Sequence, residues 1–252
     1  MSAEAKSAAA ASAVPAPPAA SVGSDSSRRT RAPRDLRRFD RIFAAVLMPI
    51  GPAAIAVLRF VIPGEPIGES IAADPEAQRL ANTMAMIAVF TLVPGAYAAL
   101  RLLRRYRPVL TAWTGALLIP AYLALTAGAM LGAADLAAIE FGVAPDEVTA
   151  RSVALLATPM MASMLLLFVV GHVVGTVLLG IAACVARVIP LWAGVLLAIS
   201  QPLHVTAVVI QSRPLDLAAW GLTAVGMGFL AWRVLRTPDD AWELPPIGSA
   251  RS

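Results

Sequence analysis

The two histidines of this chain, His172 and His204, both lie inside long apolar runs. Counted from the arginine-rich end of each run, they stand about 13 to 14 residues in, which is roughly 20 Å at 1.5 Å per helical residue. A short loop joins the two runs, so the imidazoles are expected at one level on adjacent antiparallel helices. No carboxylate is expected at that depth.

Two imidazoles at one level suit several kinds of site. As axial ligands they would hold a b-type haem, with Gly171 and Gly175 leaving space for the macrocycle. They would also suit a transition metal or a proton relay. The simpler interpretation is that each histidine is buried, neutral and bonded to a backbone carbonyl. The sequence favours this last interpretation, with no cofactor and haem b as the alternative.

Arg59 is the other unusual residue, because it lies near the outer end of an apolar run. A long side chain there can extend to the lipid headgroups at modest cost, which is the usual solution. Alternatively, Arg59 faces the interior and meets Asp135, Asp216 or an anionic ligand. In that case the sequence predicts a polar, ligand-binding pocket in the outer half of the helices, lined by Arg59, Tyr122, Gln201 and His204.

Signatures of soluble enzymes are absent from the sequence. It contains no glycine-rich phosphate loop, no Ser-His-Asp candidate and no H-E-x-x-H motif. The single cysteine, Cys184, excludes an internal disulfide and a cysteine-cluster metal site. We therefore assign no catalytic residue and expect a protein that is not an enzyme.

The elements that would position these residues are transmembrane helices. The chain is 58% hydrophobic and 14% charged, against roughly 25% charged in soluble domains. Six apolar runs each reach the roughly 20 residues needed to cross the hydrocarbon. The sequence therefore predicts an all-α, polytopic bundle with spans at about 42–63, 83–103, 108–131, 160–185, 190–210 and 216–235.

Prolines are expected inside five of these six helices, where they would kink helices around a cavity or simply be tolerated by packing. The fourth run, 153–185, is too long for one perpendicular crossing. We expect Pro159 to separate a short outer segment, 153–158, from the spanning part. Glycine pairs at 128 and 132 and at 171 and 175 predict close helix packing, within one chain or in a homo-oligomer.

The distribution of arginines predicts the orientation. Fourteen arginines fall in the N-terminal region, the 2–3 and 4–5 loops and the C-terminal region, whereas the three opposite loops carry one each. Positive-inside bias then places both termini in the cytoplasm. Trp113, Trp192 and Trp232 are expected at the inner membrane interface and Trp220 at the outer one, as an aromatic belt.

The two ends of the chain differ from the middle in composition. Residues 1–38 are poor in apolar side chains and are predicted to be a disordered cytoplasmic tail, with a basic patch at 28–41 that would bind anionic lipid headgroups rather than nucleic acid. Because no signal-peptide core is visible, the first helix is expected to be an uncleaved anchor. Residues 39–236 form the membrane domain, and 237–252 form a short, unstructured cytoplasmic tail.

Four stretches resemble a group of six-helix membrane proteins of actinobacterial type with no assigned activity. These are LMPIGPAAIAVLRFVIP (47–63), GHVVGTVLLG (171–180), ISQPLHVTAVVI (199–210) and DLAAWGLTAVGMG (216–228). The resemblance covers roughly residues 40–236. It implies the six-helix fold and a cell-membrane location and supplies no functional residue.

Three functions fit these features. The leading expectation is a small transporter-like or ligand-sensing membrane protein that uses the outer polar pocket. The alternative is a membrane redox protein with haem b held by His172 and His204. The third is a scaffold whose basic tail and glycine faces recruit partners.

Overall fold

The computed structural model describes residues 35–243, and within that range the fold is entirely helical. Its helices are α1 (Arg37–Val61), α2 (Ile67–Ala73), α3 (Pro75–Leu103), α4 (Pro108–Glu140), α5 (Pro145–Leu156), α6 (Pro159–Ala186), α7 (Leu191–Val209), α8 (Arg213–Leu235) and α9 (Asp239–Trp242). Six of them, with 19 to 33 residues each, are long and apolar enough to cross a membrane: α1, α3, α4, α6, α7 and α8. The six predicted spans are confirmed as helices of that kind.

Two of these helices extend well beyond their predicted bounds. α3 begins at Pro75, because the Asp74 side chain accepts a hydrogen bond from Ala77 N at 3.0 Å and Pro75 suits the first helical position. α4 continues to Glu140 through alanine-rich sequence and stops before Gly142, whose φ is +83°. Polar residues lower the local hydropathy at the start of α3 and at the end of α4, although both helices continue through them, so hydropathy alone gave bounds that were too short.

The spanning helices form a closed ring. Each packs against its neighbours in sequence, from α1 through α3, α4, α6 and α7 to α8, and α8 packs back against α1. We call the end of the ring that carries Asp35 and Glu243 the termini face. The opposite end, which carries α2 and α5, is the cap face.

The cap face is built from two short helices, of which α2 was not predicted and α5 was predicted only in part, as the outer segment 153–158. Gly68 of α2 lies so close to α5 that an added Cβ would stand 1.9 Å from Pro145 O. The Gly68 N–H also donates to Thr149 Oγ1 at 2.9 Å. The absence of a side chain at Gly68 is therefore what allows α2 and α5 to touch.

Pro159 separates two segments, as expected, but it does not lie inside a helix. It is the first residue of α6, and the Thr158 side chain caps that helix by accepting from Met161 N at 3.4 Å. The outer segment is the longer helix α5, which ends at Leu156. Internal prolines therefore occur in four of the six spanning helices: Pro49 and Pro52, Pro94, Pro120 and Pro202.

The glycine pair on α6 packs as predicted. Added Cβ atoms at Gly171 and Gly175 would stand 2.7 Å from Ala121 Cβ and 2.6 Å from Leu118 Cγ, both on α4. The pair on α4 behaves differently, because a Cβ at Gly128 would meet nothing within 4 Å. Gly132 does pack closely, since a Cβ there would stand 3.0 Å from Gln78 Nε2 and 3.1 Å from Asn82 Oδ1 on α3. Within this chain the packing expected for the pair is therefore found at Gly132 and not at Gly128.

The end of the described chain is ordered against the bundle. Helix α9 places Trp242 in a buried position, 3% exposed, where its Nε1 donates to Asp40 Oδ2 at 2.9 Å. The expectation of an unstructured tail is therefore wrong for residues 239–243. Residues 1–34 of the predicted disordered tail, with the basic patch up to residue 34, and residues 244–252 lie outside the described range. The prediction of disorder is wrong for Arg37 and Arg38, which begin α1.

Candidate functional site: a cavity in the cap-side half of the ring

The ring contains a partly open cavity of about 430 Å³ in the half that adjoins the cap face. All six spanning helices contribute to its wall, and most of the lining is apolar, for example Ile55, Leu125, Phe168 and Val205. The polar lining residues are Arg59, Gln78, Asn82, His172 and His204, with Trp220 beside them. We call this space the cap-side cavity.

A chain of three polar side chains stands at one end of the cavity. Arg59 Nε donates to Asp216 Oδ2 at 2.7 Å, and His204 Nδ1 lies 2.6 Å from Asp216 Oδ1. Asp216 is 3% exposed, whereas the Arg59 side chain is about one-third exposed. The structure therefore shows Arg59 paired with Asp216, which was one of the two alternatives, and not simply extended to the lipid headgroups.

Asp135, the other carboxylate considered for Arg59, has its own partners. It accepts from Arg151 Nη2 at 2.8 Å and from Ser152 Oγ at 2.7 Å. Arg59 and Asp135 therefore belong to separate clusters, and only the Asp216 cluster adjoins the histidines.

The contacts of His204 indicate which ring nitrogen carries the proton. Its Nδ1 lies within reach of both Asp216 Oδ1 and, at 3.2 Å, Trp220 Nε1. One nitrogen cannot donate to the first and accept from the second at the same time. The carboxylate contact is the shorter and charge-assisted one, so we assign Nδ1–H as the donor to Asp216.

His172 is buried completely, with 0% of its surface exposed. Its Nδ1 donates to the carbonyl of Phe168 one turn earlier, which leaves Nε2 as an acceptor. That Nε2 is buried and has no hydrogen-bond partner among residues 35–243. A buried acceptor without a partner normally costs stability and calls for an explanation.

The aromatic rings around His172 form a compact group. Phe168 stacks on His172 with ring centroids 4.3 Å apart, and Trp220 does so at 5.6 Å. The His172 and His204 ring centroids are 5.6 Å apart. The structure thus brings the two histidines together, as their levels along the helices suggested. It adds Trp220 of α8, whose ring centroid lies 5.6 Å from that of His172 and 5.5 Å from that of His204.

Trp220 was not expected here, and Asp216 was expected only as a candidate partner of Arg59 and not beside the histidines. Trp220 is 1% exposed, so its predicted place in an outer aromatic belt is wrong. The expectation of no carboxylate beside the histidines is also wrong. The reason is that α7 ends at Val209 and α8 begins at Arg213, so His204 and Asp216 both lie within about 8 Å of that turn.

The four residues of the predicted polar pocket do not form one wall. Arg59 and His204 line the cavity. Tyr122 and Gln201 are buried in the bundle instead, 4% and 0% exposed. Gln201 Nε2 donates to Thr223 Oγ1 at 2.9 Å, a contact that joins α7 to α8.

A second polar group on α3 was missed by the sequence analysis. Gln78 Nε2 donates to Asn82 Oδ1 at 2.8 Å and to the carbonyl of Gly132 at 3.3 Å. Gln78 Oε1 is buried without a partner in the described part of the chain. The sequence feature that could have revealed this group is the i, i+4 spacing of Gln78 and Asn82, which places both amides on one face of a helix.

The lining has the chemistry of a site for a mostly apolar molecule. The apolar walls can bury an apolar ligand. Of the four buried side-chain polar atoms without partners in residues 35–243, two, His172 Nε2 and Gln78 Oε1, belong to side chains that line the cavity, whereas Thr176 Oγ1 and Gln201 Oε1 do not. The charge of Arg59 is balanced by Asp216. In residues 35–243 no three or more His, Cys, Asp or Glu side chains are placed to hold a metal ion together.

The surface of α6 beside the cavity is unusually open. From Pro159 to Val170 no residue of α6 is buried, whereas the second half of the helix has a buried face. Leu165 and Val169 line the cavity and are 49% and 41% exposed. The cap-side half of α6 therefore stands apart from its neighbours.

Comparison with known proteins gives no family for this chain: no family model, curated protein or solved structure matches it.

Proposed function

We propose that this chain is a transporter-like or ligand-sensing protein of the cell membrane that binds a small, mostly apolar molecule in the cap-side cavity. The observation that carries the proposal is the cavity itself, about 430 Å³ in a ring of membrane-type helices. Ligand sites for small molecules generally have volumes of about 300–1,000 Å³ and few polar groups. Binding without chemical conversion is the favoured activity, because the lining offers no activated nucleophile.

The polar end of the cavity supports a ligand with a hydrogen-bonding group. Polar and ionisable residues inside a membrane are costly, and they usually mark a functional pathway or site. Here Arg59, Asp216 and His204 satisfy one another, whereas His172 Nε2 is left without a donor. A hydroxyl or N–H group on the ligand would supply that donor after a small movement of the surrounding side chains.

Filling the cavity tests the proposal. Gly128 lines it, and an added Cβ there meets nothing within 4 Å, so Gly128→Phe is expected to occupy the space without disturbing the helices. Protein purified from its own membranes should release a bound small molecule on solvent extraction, measured by mass spectrometry. The Gly128→Phe protein should release at least about tenfold less.

The matched control is Gly221→Phe. Gly221 also has open space around it, but it lies on α8 and does not line the cavity. This variant should carry the same extractable molecule as the wild-type protein. Equal extracts from all three proteins, or no specific molecule in any of them, would refute ligand binding in the cavity.

Haem b is the second candidate, favoured by the orientation of the two imidazoles. Both histidines have Nδ1 engaged, one with a carbonyl and one with a carboxylate, as metal-bound histidines usually do. The space expected beside Gly171 and Gly175 is filled by α4, so a macrocycle would have to enter from the cavity side. A Soret band that shifts on reduction and is lost in His172→Ala and His204→Ala supports this candidate, and a featureless visible spectrum from haem-replete cells excludes it.

The proposed orientation places the termini face in the cytoplasm, on the basis of its excess of arginine. In a Cys184→Ala background, Arg104→Cys on the termini face and Glu147→Cys on the cap face provide exposed single cysteines. A membrane-impermeant maleimide should label Glu147→Cys in intact cells and Arg104→Cys only after permeabilisation. The reverse pattern would overturn the orientation.

A further inference from the structure

A second, smaller pocket lies at the termini face, on the opposite side of the ring from the cavity. It has a volume of about 130 Å³ and lies between the ends of α3 and α8. Residues 237–242, which include α9, form its third wall. Its charged lining residues are all arginines: Arg101, Arg105, Arg233 and Arg236. We call it the arginine pocket.

The third wall of the pocket is fixed by contacts with α1 and α3. Arg41 Nε donates to Asp239 Oδ1 at 2.8 Å, and Arg37 pairs with Asp240. Trp242 is buried beside Arg101, whose guanidinium carbon lies 4.5 Å from the Trp242 ring centroid. These contacts hold residues 237–242 in place, so the pocket has a defined third wall.

The charges of the pocket are only partly balanced. Arg101 contacts the carboxylates of Asp40, at 3.0 Å, and Glu243, at 3.4 Å. Arg105, Arg233 and Arg236 have no carboxylate partner within residues 35–243. Three cationic side chains thus converge on a small space that no acidic side chain lines.

Two features prepare these arginines for an anion. The Arg236 guanidinium lies over the Trp232 ring, 4.1 Å from its centroid, so its plane is held while the N–H edge remains available. The Arg105 side chain reaches the Trp242 carbonyl at 3.5 Å. Planar guanidinium groups pair with phosphate oxygens through two parallel hydrogen bonds, which makes phosphate the best match among common anions.

We propose that the arginine pocket binds a phosphate ester. The pocket lies where the spanning helices α3 and α8 meet the termini face. At that level the phosphate of an anionic phospholipid can enter the pocket while the acyl chains of the lipid stay in the bilayer. A soluble phosphate compound has the same chemistry at this site. The proposal is separate from the cap-side cavity and from the basic patch at 28–41.

The test compares two double variants with the same loss of charge. Arg233→Gln with Arg236→Gln removes two lining arginines, whereas Arg104→Gln with Arg187→Gln removes two exposed arginines of the same face that do not line the pocket. Delipidated, detergent-purified full-length protein is titrated with phosphatidylglycerol, phosphatidylcholine or inorganic phosphate and examined by native mass spectrometry. Wild-type protein and the Arg104/Arg187 variant should bind one phosphatidylglycerol, and the pocket variant should bind it at least about tenfold more weakly.

The arms of the experiment separate the sources of phosphate. Tight binding of phosphatidylglycerol with little binding of inorganic phosphate supports a headgroup site, and comparable binding of inorganic phosphate supports a soluble phosphate compound. Equal binding by the two double variants would overturn the proposal, as would no binding of any probe. Equal affinity for phosphatidylglycerol and phosphatidylcholine without binding of inorganic phosphate would also overturn it, because the lipid would then be held by its acyl chains. Circular dichroism of both variants confirms that a loss of binding is not a loss of folding.

Discussion

Asp216→Ala is expected to lower the free energy of unfolding by about 3 kcal/mol, because it leaves two neighbours without their acceptor. Asp216 accepts from Arg59 at 2.7 Å and contacts His204 at 2.6 Å, and its side chain is 4% exposed. Removing one partner of a buried ion pair typically costs 3–5 kcal/mol. We take the lower end because Arg59 is about one-third exposed and can be partly solvated. Reversible unfolding in mixed SDS–detergent micelles measures the change.

A surface ion pair supplies the control. Glu140 pairs with Arg79 at 2.7 Å, but both side chains are more than 40% exposed, so Glu140→Ala should cost less than about 1 kcal/mol. Asp216→Asn, which keeps one acceptor oxygen, should fall between the two. If Asp216→Ala were no more destabilising than Glu140→Ala, the contacts with Arg59 and His204 would contribute little to the fold.

Gly180→Ala is expected to destabilise the protein by about 3 kcal/mol through a clash between α6 and α7. A Cβ at Gly180 would stand 2.5 Å from Ala198 N and 2.7 Å from Ala198 Cα, which are backbone atoms that cannot rotate away. Overpacking usually costs about 1–3 kcal/mol, and the upper end applies because a whole helix must shift. The same unfolding assay measures the loss.

Gly228→Ala on α8 is the matched substitution, because a Cβ there meets nothing within 4 Å. It should leave stability unchanged or raise it by up to about 1 kcal/mol, since alanine favours a helix more than glycine does. Equal stabilities of the Gly180 and Gly228 variants would mean that α6 and α7 separate more easily than their contact suggests.

The spanning helices could be predicted because their signal is local. A run such as MLLLFVVGHVVGTVLLG has both the length and the apolarity for a crossing, whatever surrounds it. The short helices α2 and α5 have mixed composition, and they contact each other at Gly68. Such contacts join distant parts of the sequence, which hydropathy does not describe.

The candidate site could be predicted only in part, for a related reason. His172, His204 and Arg59 stood out because each is a polar residue in an apolar run. Asp216 was named only as a candidate partner of Arg59, and Trp220 was assigned to the aromatic belt, since each also suits the end of a helix at a membrane interface. Their burial follows from the short turn after Val209 and from the packing of α8 against α1, both of which are tertiary features.

The closed ring also has a consequence for the order in which the protein is assembled. Neighbouring helices around the ring are successive along the chain, except at the single seam between α1 and α8. Arg59 and Asp216 face each other across that seam and are separated by 157 residues. Arg59 lies on α1 and can meet Asp216 only after α8 has been synthesised, so the ion pair closes the ring only once all six of the described spanning helices are present.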